Sequence, residues 1–127
     1  MAFLLQWGTA SLSIDARTAL GDIVDQLHRE HASFPILVHL SAESGAMMSL
    51  GIGGVASMLH YVSPGGWPAF TAMGAEPSAK GGLAFTVGDE ETELPAFFGM
   101  PFEMAKAGFI AFLERPEMNG VFDWRED

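Results

Sequence analysis

The sequence predicts an α+β domain with a single antiparallel sheet of about six strands in a meander and two helices packed on one face. Three observations predict it. Short apolar runs with two-residue alternation fill the middle of the chain. Two longer stretches carry helical spacing instead. Glycine-rich turn signals separate the strands, with no repeat, linker or low-complexity segment between them. At 127 residues the chain has the size of one domain, spanning 1–127.

The elements follow in order. "AFLLQWG" (2–8) is short and apolar and reads as a first strand. Over 13–31, Ala16, Leu20, Ile23, Val24 and Leu27 recur at intervals of three and four and predict a helix. Ser13 or Asp15 is expected to cap its first turn, and Arg29 suits the negative end of its dipole. "FPILVHLSA" (34–42) is a buried strand. In the segment 45–63 two alternating runs flank Gly53-Gly54, a pair that supplies the positive φ angles of a tight hairpin. "SPGG" (63–66) is a turn, and "WPAFTAMG" (67–74) is a strand that Pro68 delays or places at an edge. After a loop over 75–82, "LAFTVG" (83–88) is a short strand, "DEET" (89–92) an acidic turn and "ELPAFFG" (93–99) the return. The second helix covers 101–114, opened by Pro101 at its first position and closed by Arg115-Pro116. Its apolar face is Phe102, Ala105, Phe109, Phe112 and Leu113. "GVFDWRE" (120–126) alternates as a final strand, its aromatics Phe122 and Trp124 facing a helix.

Sixteen acids face six bases, a formal net charge of −10. This argues against nucleic acid as a direct partner, because phosphate binding needs a basic face. It suits a basic protein partner or, more simply, solubility. No cysteine is present, so there is no disulfide, thiolate zinc site or cysteine nucleophile, in keeping with a reducing compartment. No apolar run reaches the roughly 18 residues of a membrane span, and the start lacks the flanks of a secretory signal. A cytoplasmic protein is expected.

Candidate chemistry is sparse. His28 and His31 stand three apart at a helix end, without a third ligand cluster, so no metal is expected. His39 and His60 lie within strands and read as satisfied or half-exposed imidazoles. "GIGG" (51–54) lacks the Lys-Ser/Thr of a phosphate loop and reads as a turn. No serine lies in a Gly-x-Ser-x-Gly context, and the acids of "DEETE" crowd one turn without a catalytic partner. These residues describe a non-enzymatic acidic domain without a cofactor.

The order of the pieces resembles a known family. "LGIGGVASMLHY", a Gly/Trp turn, "VGDEETELPAFFG", a helix opening "MPFEMAKAGFIAFLE" and then "RPEMNGVFDWRE" together are similar to immunity protein family one of bacterial polymorphic toxin systems. That family includes the immunity partner of a DNA cytosine deaminase toxin. The resemblance runs from about residue 45 to the end and is most specific at Arg115-Pro116 and Trp124-Arg125-Glu126. It implies a cytoplasmic inhibitor that occludes the active site of a cognate toxin domain in a one-to-one complex, with no enzymatic activity of its own. The expected toxin acts on nucleic acid, as a deaminase or nuclease, through a basic cleft. Asp89, Glu90, Glu91 and Glu93 are the candidate acidic contacts, and Trp67 and Phe70 the candidate aromatic ones. Arg115, Pro116, Trp124 and Glu126 are expected to be structural, with Arg115 pairing with Glu126 or nearby carbonyls. Two alternatives stand beside this: a small enzyme or ligand-binding domain using His39, His60 and strand carboxylates, which a deep pocket with convergent polar groups favours, and a structural subunit that oligomerises through a sheet edge.

Overall fold

The structure, a computed structural model, describes residues 3–127. Ala2 of the expected first strand lies outside the described residues. Nine strands and two helices follow in the order β1 (Phe3–Trp7), β2 (Ala10–Ile14), α1 (Arg17–Glu30), β3 (Ile36–Ser41), β4 (Met47–Ile52), β5 (Met58–Val62), β6 (Ala69–Ala72), β7 (Gly82–Val87), β8 (Glu90–Pro95), α2 (Phe102–Glu114) and β9 (Trp124–Glu126). The main path is antiparallel, in the order β2-β1-β3-β4-β5-β6-β9. The ribbon β7–β8 joins it by one parallel bridge, Ile36 to Thr86. The α+β class and the two helices agree with the sequence; six strands does not. β2 is a strand the sequence did not offer, and the ribbon strands, expected over 83–88 and 93–99, run over Gly82–Val87 and Glu90–Pro95.

Strand β2 occupies the start of the expected helix. In "ASLSI" polar and apolar residues alternate as in a strand, Ile14 is buried, and Phe3 pairs with Ile14. Ser13 is thus in a ladder and caps nothing. The N-cap of α1 is Ala16, in extended conformation, with no side-chain cap hydrogen bond. Leu20, Val24 and Leu27 form its buried face as expected, while Ala16 is exposed. For α2, Pro101 is the N-cap rather than the first helical residue, and Arg115 turns extended before Pro116.

One face of the sheet carries both helices. Leu40, Met48, Leu50, Leu59 and Tyr61 pack against Leu20, Val24, Ala105, Phe109 and Phe112. Each fully buried large side chain here stabilises by roughly 1.5–3 kcal/mol. The intervening residues of the strands point to the other face. There Gly51 faces the ribbon: a Cβ at this position would lie 2.7 Å from both Met58 Cγ and the Phe85 ring. The glycine read as part of a turn is therefore a seat for Phe85, which is buried. Gly53 and Gly54 do have positive φ, 84° and 71°, but they open a five-residue connection (53–57) rather than a tight hairpin. His28 Nδ1 accepts a hydrogen bond from the Gly53 N–H at 3.0 Å, and its ring stacks on Phe102 at 3.7 Å. That contact ties α1, α2 and the β4–β5 connection together.

The chain end is anchored by its aromatics. Trp124 meets Tyr61 edge-on at 6.4 Å and Phe122 at 5.9 Å, and its Nε1–H donates to the Asn119 carbonyl at 2.8 Å. β9 is shorter than expected, because 120–123 form a turn before it. Arg115 pairs with Glu117, not Glu126. Glu117 lies just beyond Pro116, whereas Glu126 is exposed on β9 opposite Phe70.

Candidate functional site

The ribbon carries the acidic stretch. Its register pairs Val87 with Glu90, Thr86 with Glu91, Phe85 with Thr92 and Ala84 with Glu93. Residues expected to form an acidic turn are thus mostly strand, and only Gly88 and Asp89 turn the chain. The alternation sorts the acids. Thr92 and Leu94 face the sheet beneath, so Glu91 and Glu93 face solvent. Glu90 shares the side of Thr92, at the tip. All four carboxylates, Asp89, Glu90, Glu91 and Glu93, are exposed. Among the described residues the ion pairs of arginine and lysine lie elsewhere: Arg17–Glu114, Lys106–Asp25, Arg115–Glu117 and Arg125–Asp123. None of the four ribbon acids is in an ion pair among the described residues.

Of the two aromatic candidates, Phe70 lies on the other face of the sheet from the ribbon. Trp67 is in the β5–β6 turn and 64% exposed. Phe70 points to the helix side, where it packs against Tyr61 with ring centroids 6.5 Å apart. The structure does not gather Phe70 and the acids into one patch.

Beneath the ribbon lies a cleft of about 390 Å³. A polar row crosses its floor. His39 is opposite Ser49, Ser49 opposite His60, and His60 opposite Thr71 on four adjacent strands. His39 Nδ1 and Ser49 Oγ are 2.6 Å apart. His60 Nε2 lies 2.7 Å from Asp127 Oδ2, and Thr71 Oγ1 donates to Asp127 Oδ1 at 2.9 Å. Met47, Met58, Leu37 and, from the ribbon, Val87 and Leu94 supply apolar walls. Burial, and secondarily the proximity of His60, holds the His39 pKa below its ordinary value of 6.5.

This arrangement is not a Ser-His-Asp triad. Acyl transfer needs one histidine between nucleophile and carboxylate. Here Ser49 bonds His39 while Asp127 bonds His60, so the two halves are on different rings. Among the described residues no group of three metal-ligating side chains converges. Sequence reasoning named His39 and His60 but not Ser49, Thr71 or Asp127 as their partners. The signal was a polar residue at the inward-alternating position of each of four strands, which becomes a row only once the register is known.

No protein-family model matches this chain, and no curated protein is significantly similar to it. Among the described residues no helix is long and apolar enough to cross a membrane.

Proposed function

We propose that this protein is a cytoplasmic immunity protein that binds a cognate bacterial toxin domain and occludes its active site, acting by binding rather than catalysis. One observation supports this most: four exposed carboxylates on the β7–β8 ribbon, none of them in an ion pair among the described residues. Such a surface raises the encounter rate with a basic cleft and opposes wrong partners. The resemblance of "RPEMNGVFDWRE" and the preceding elements to immunity protein family one supplies the class of partner. Toxins that act on nucleic acid present the basic cleft that the ribbon complements.

The test is co-expression with the toxin domain encoded in the adjacent reading frame. Survival of the host and a one-to-one complex are expected. Replacing Asp89, Glu90, Glu91 and Glu93 by lysine should slow association by roughly 10-fold or more at low salt. Death of the host and absence of a complex, with both proteins folded, would reject that pairing.

A second reading has one observation in its favour. The cleft joins an apolar wall to convergent polar groups, as small-ligand sites do. Saturable binding of an uncharged metabolite there, without toxin inhibition, would establish it.

A further inference from the structure

The floor of the cleft is rich in acceptors. Asp127 holds a carboxylate between the Thr71 hydroxyl and the His60 ring. A carboxylate donates nothing, so His60 Nε2 carries the proton of that bond. Ser49 and His39 share one hydrogen bond, which leaves the serine oxygen a further lone pair. Glu90 stands on the cleft side of the ribbon tip. No lysine or arginine is among the lining residues. Arg125, opposite Thr71 in register, is held by Asp123 at 2.9 Å. The lining therefore offers the Asp127 carboxylate and the Ser49 oxygen, no lysine or arginine, and walls of methionine and leucine.

We infer that this cleft receives an arginine side chain presented by the protein's binding partner. The inference rests on the protein-binding reading above and names what the partner inserts. An arginine has both halves that the cleft matches. Its aliphatic stem covers apolar surface such as Met47, Met58 and Leu94. Its planar guanidinium carries five donors in a fixed fork and stacks on flat rings, which suits acceptors spread over neighbouring strands better than the point charge of lysine. The exposed acids of the ribbon draw a basic partner in, and the cleft then gives it a buried anchor of the kind that dominates interface energy.

The test needs no toxin. The four histidines divide into two inside the cleft, His39 and His60, and two on or beside α1, His28 and His31. Their imidazole resonances are followed by NMR while N-acetylarginine methylamide is added, and separately its neutral isostere N-acetylcitrulline methylamide. Saturable shifts at His39 and His60 alone are expected with the arginine compound, with the citrulline compound at least ~10-fold weaker, since hydrogen bonds between charged groups are the stronger ones. Asp127→Asn, whose backbone bond to Ala69 is retained, should weaken the arginine compound by a similar factor; its fold is checked by circular dichroism. Equal binding of both compounds overturns the inference and favours a neutral ligand. Shifts spread equally over all four histidines, or no saturable shift, also overturn it. A negative titration leaves toxin inhibition standing, whereas failed rescue by co-expression with a positive titration leaves the cleft standing.

Discussion

Gly51→Ala tests whether the ribbon is held where the cleft requires it. The added methyl would lie 2.7 Å from Met58 Cγ and from Cε1 and Cζ of Phe85. Non-bonded carbons prefer about 3.5–4.0 Å, so the neighbours must retreat by roughly 1 Å. Phe85 is 2% exposed and has little room to do so. Overpacking of this kind destabilises by about 1–3 kcal/mol. Replacing a strand glycine contributes about 0.5–1 kcal/mol in the opposite direction, by restricting the unfolded chain. The net expectation is a loss of about 0.5–2 kcal/mol. Phe85→Leu removes the ring atoms that clash and by itself should destabilise by about 1 kcal/mol. The double variant should then be less destabilised than the sum of the two by about 1 kcal/mol. Urea denaturation of the four proteins measures the cycle. Additivity within ~0.3 kcal/mol would show that Phe85 does not rest on Gly51, and with it would go the account of how the ribbon covers the cleft.

Three further outcomes are expected. Trp124→Phe should lose about 1 kcal/mol with the hydrogen bond to Asn119, and Trp124→Ala about 2–3 kcal/mol, given its half-buried ring; thermal unfolding ranks the two against wild type. His39 has its folded pKa below the unfolded value of 6.5, so the unfolded chain binds the extra proton first. Its contribution to stability is full above 6.5 and declines as pH falls from there to the folded value, and the difference between wild type and His39→Gln in a pH series of urea midpoints should show that slope. Neutralising Asp89, Glu90, Glu91 and Glu93 to their amides should leave stability within about 0.5 kcal/mol, or raise it at low salt, because none of them is in an ion pair among the described residues; a larger loss in denaturation would make these acids structural.

The helices and the central strands were legible because each has a one-dimensional signature. Leu20, Val24 and Leu27 repeat at helical spacing, and Met48, Leu50, Leu59 and Tyr61 alternate as strands, so their common face follows from the period alone. Strand β2 was lost because "SLSIDART" offers serine and aspartate where a helix cap is expected, and short-range patterns do not reveal that Ser13 is opposite Leu4. Gly51 was read as turn chemistry for the same reason. Its function is to make room for Phe85, thirty-four positions later, and no local pattern records that. The acids of the candidate surface were found by composition alone. The cleft was not, since Ser49, Thr71 and Asp127 join the histidines only through register and through a chain end that returns to β6.

The two faces of the sheet explain why one chain end carries both the aromatic anchor and the polar site. Trp124, on the helix side of β9, packs on Tyr61 and holds the strand against β6. Three residues later Asp127 reaches the opposite side, where its carboxylate meets His60 and Thr71. The alternation of a strand makes this division automatic: residues an odd number apart point to opposite faces. The tryptophan therefore acts on the cleft through position, since any loosening of β9 moves Asp127 with it. Trp124→Phe should for this reason broaden the His60 imidazole resonance while leaving that of His28 unchanged, because His28 is held by Gly53 and Phe102 at the other end of the helix layer. Equal broadening of both would point to a general loss of packing rather than to the strand that links the anchor to the site.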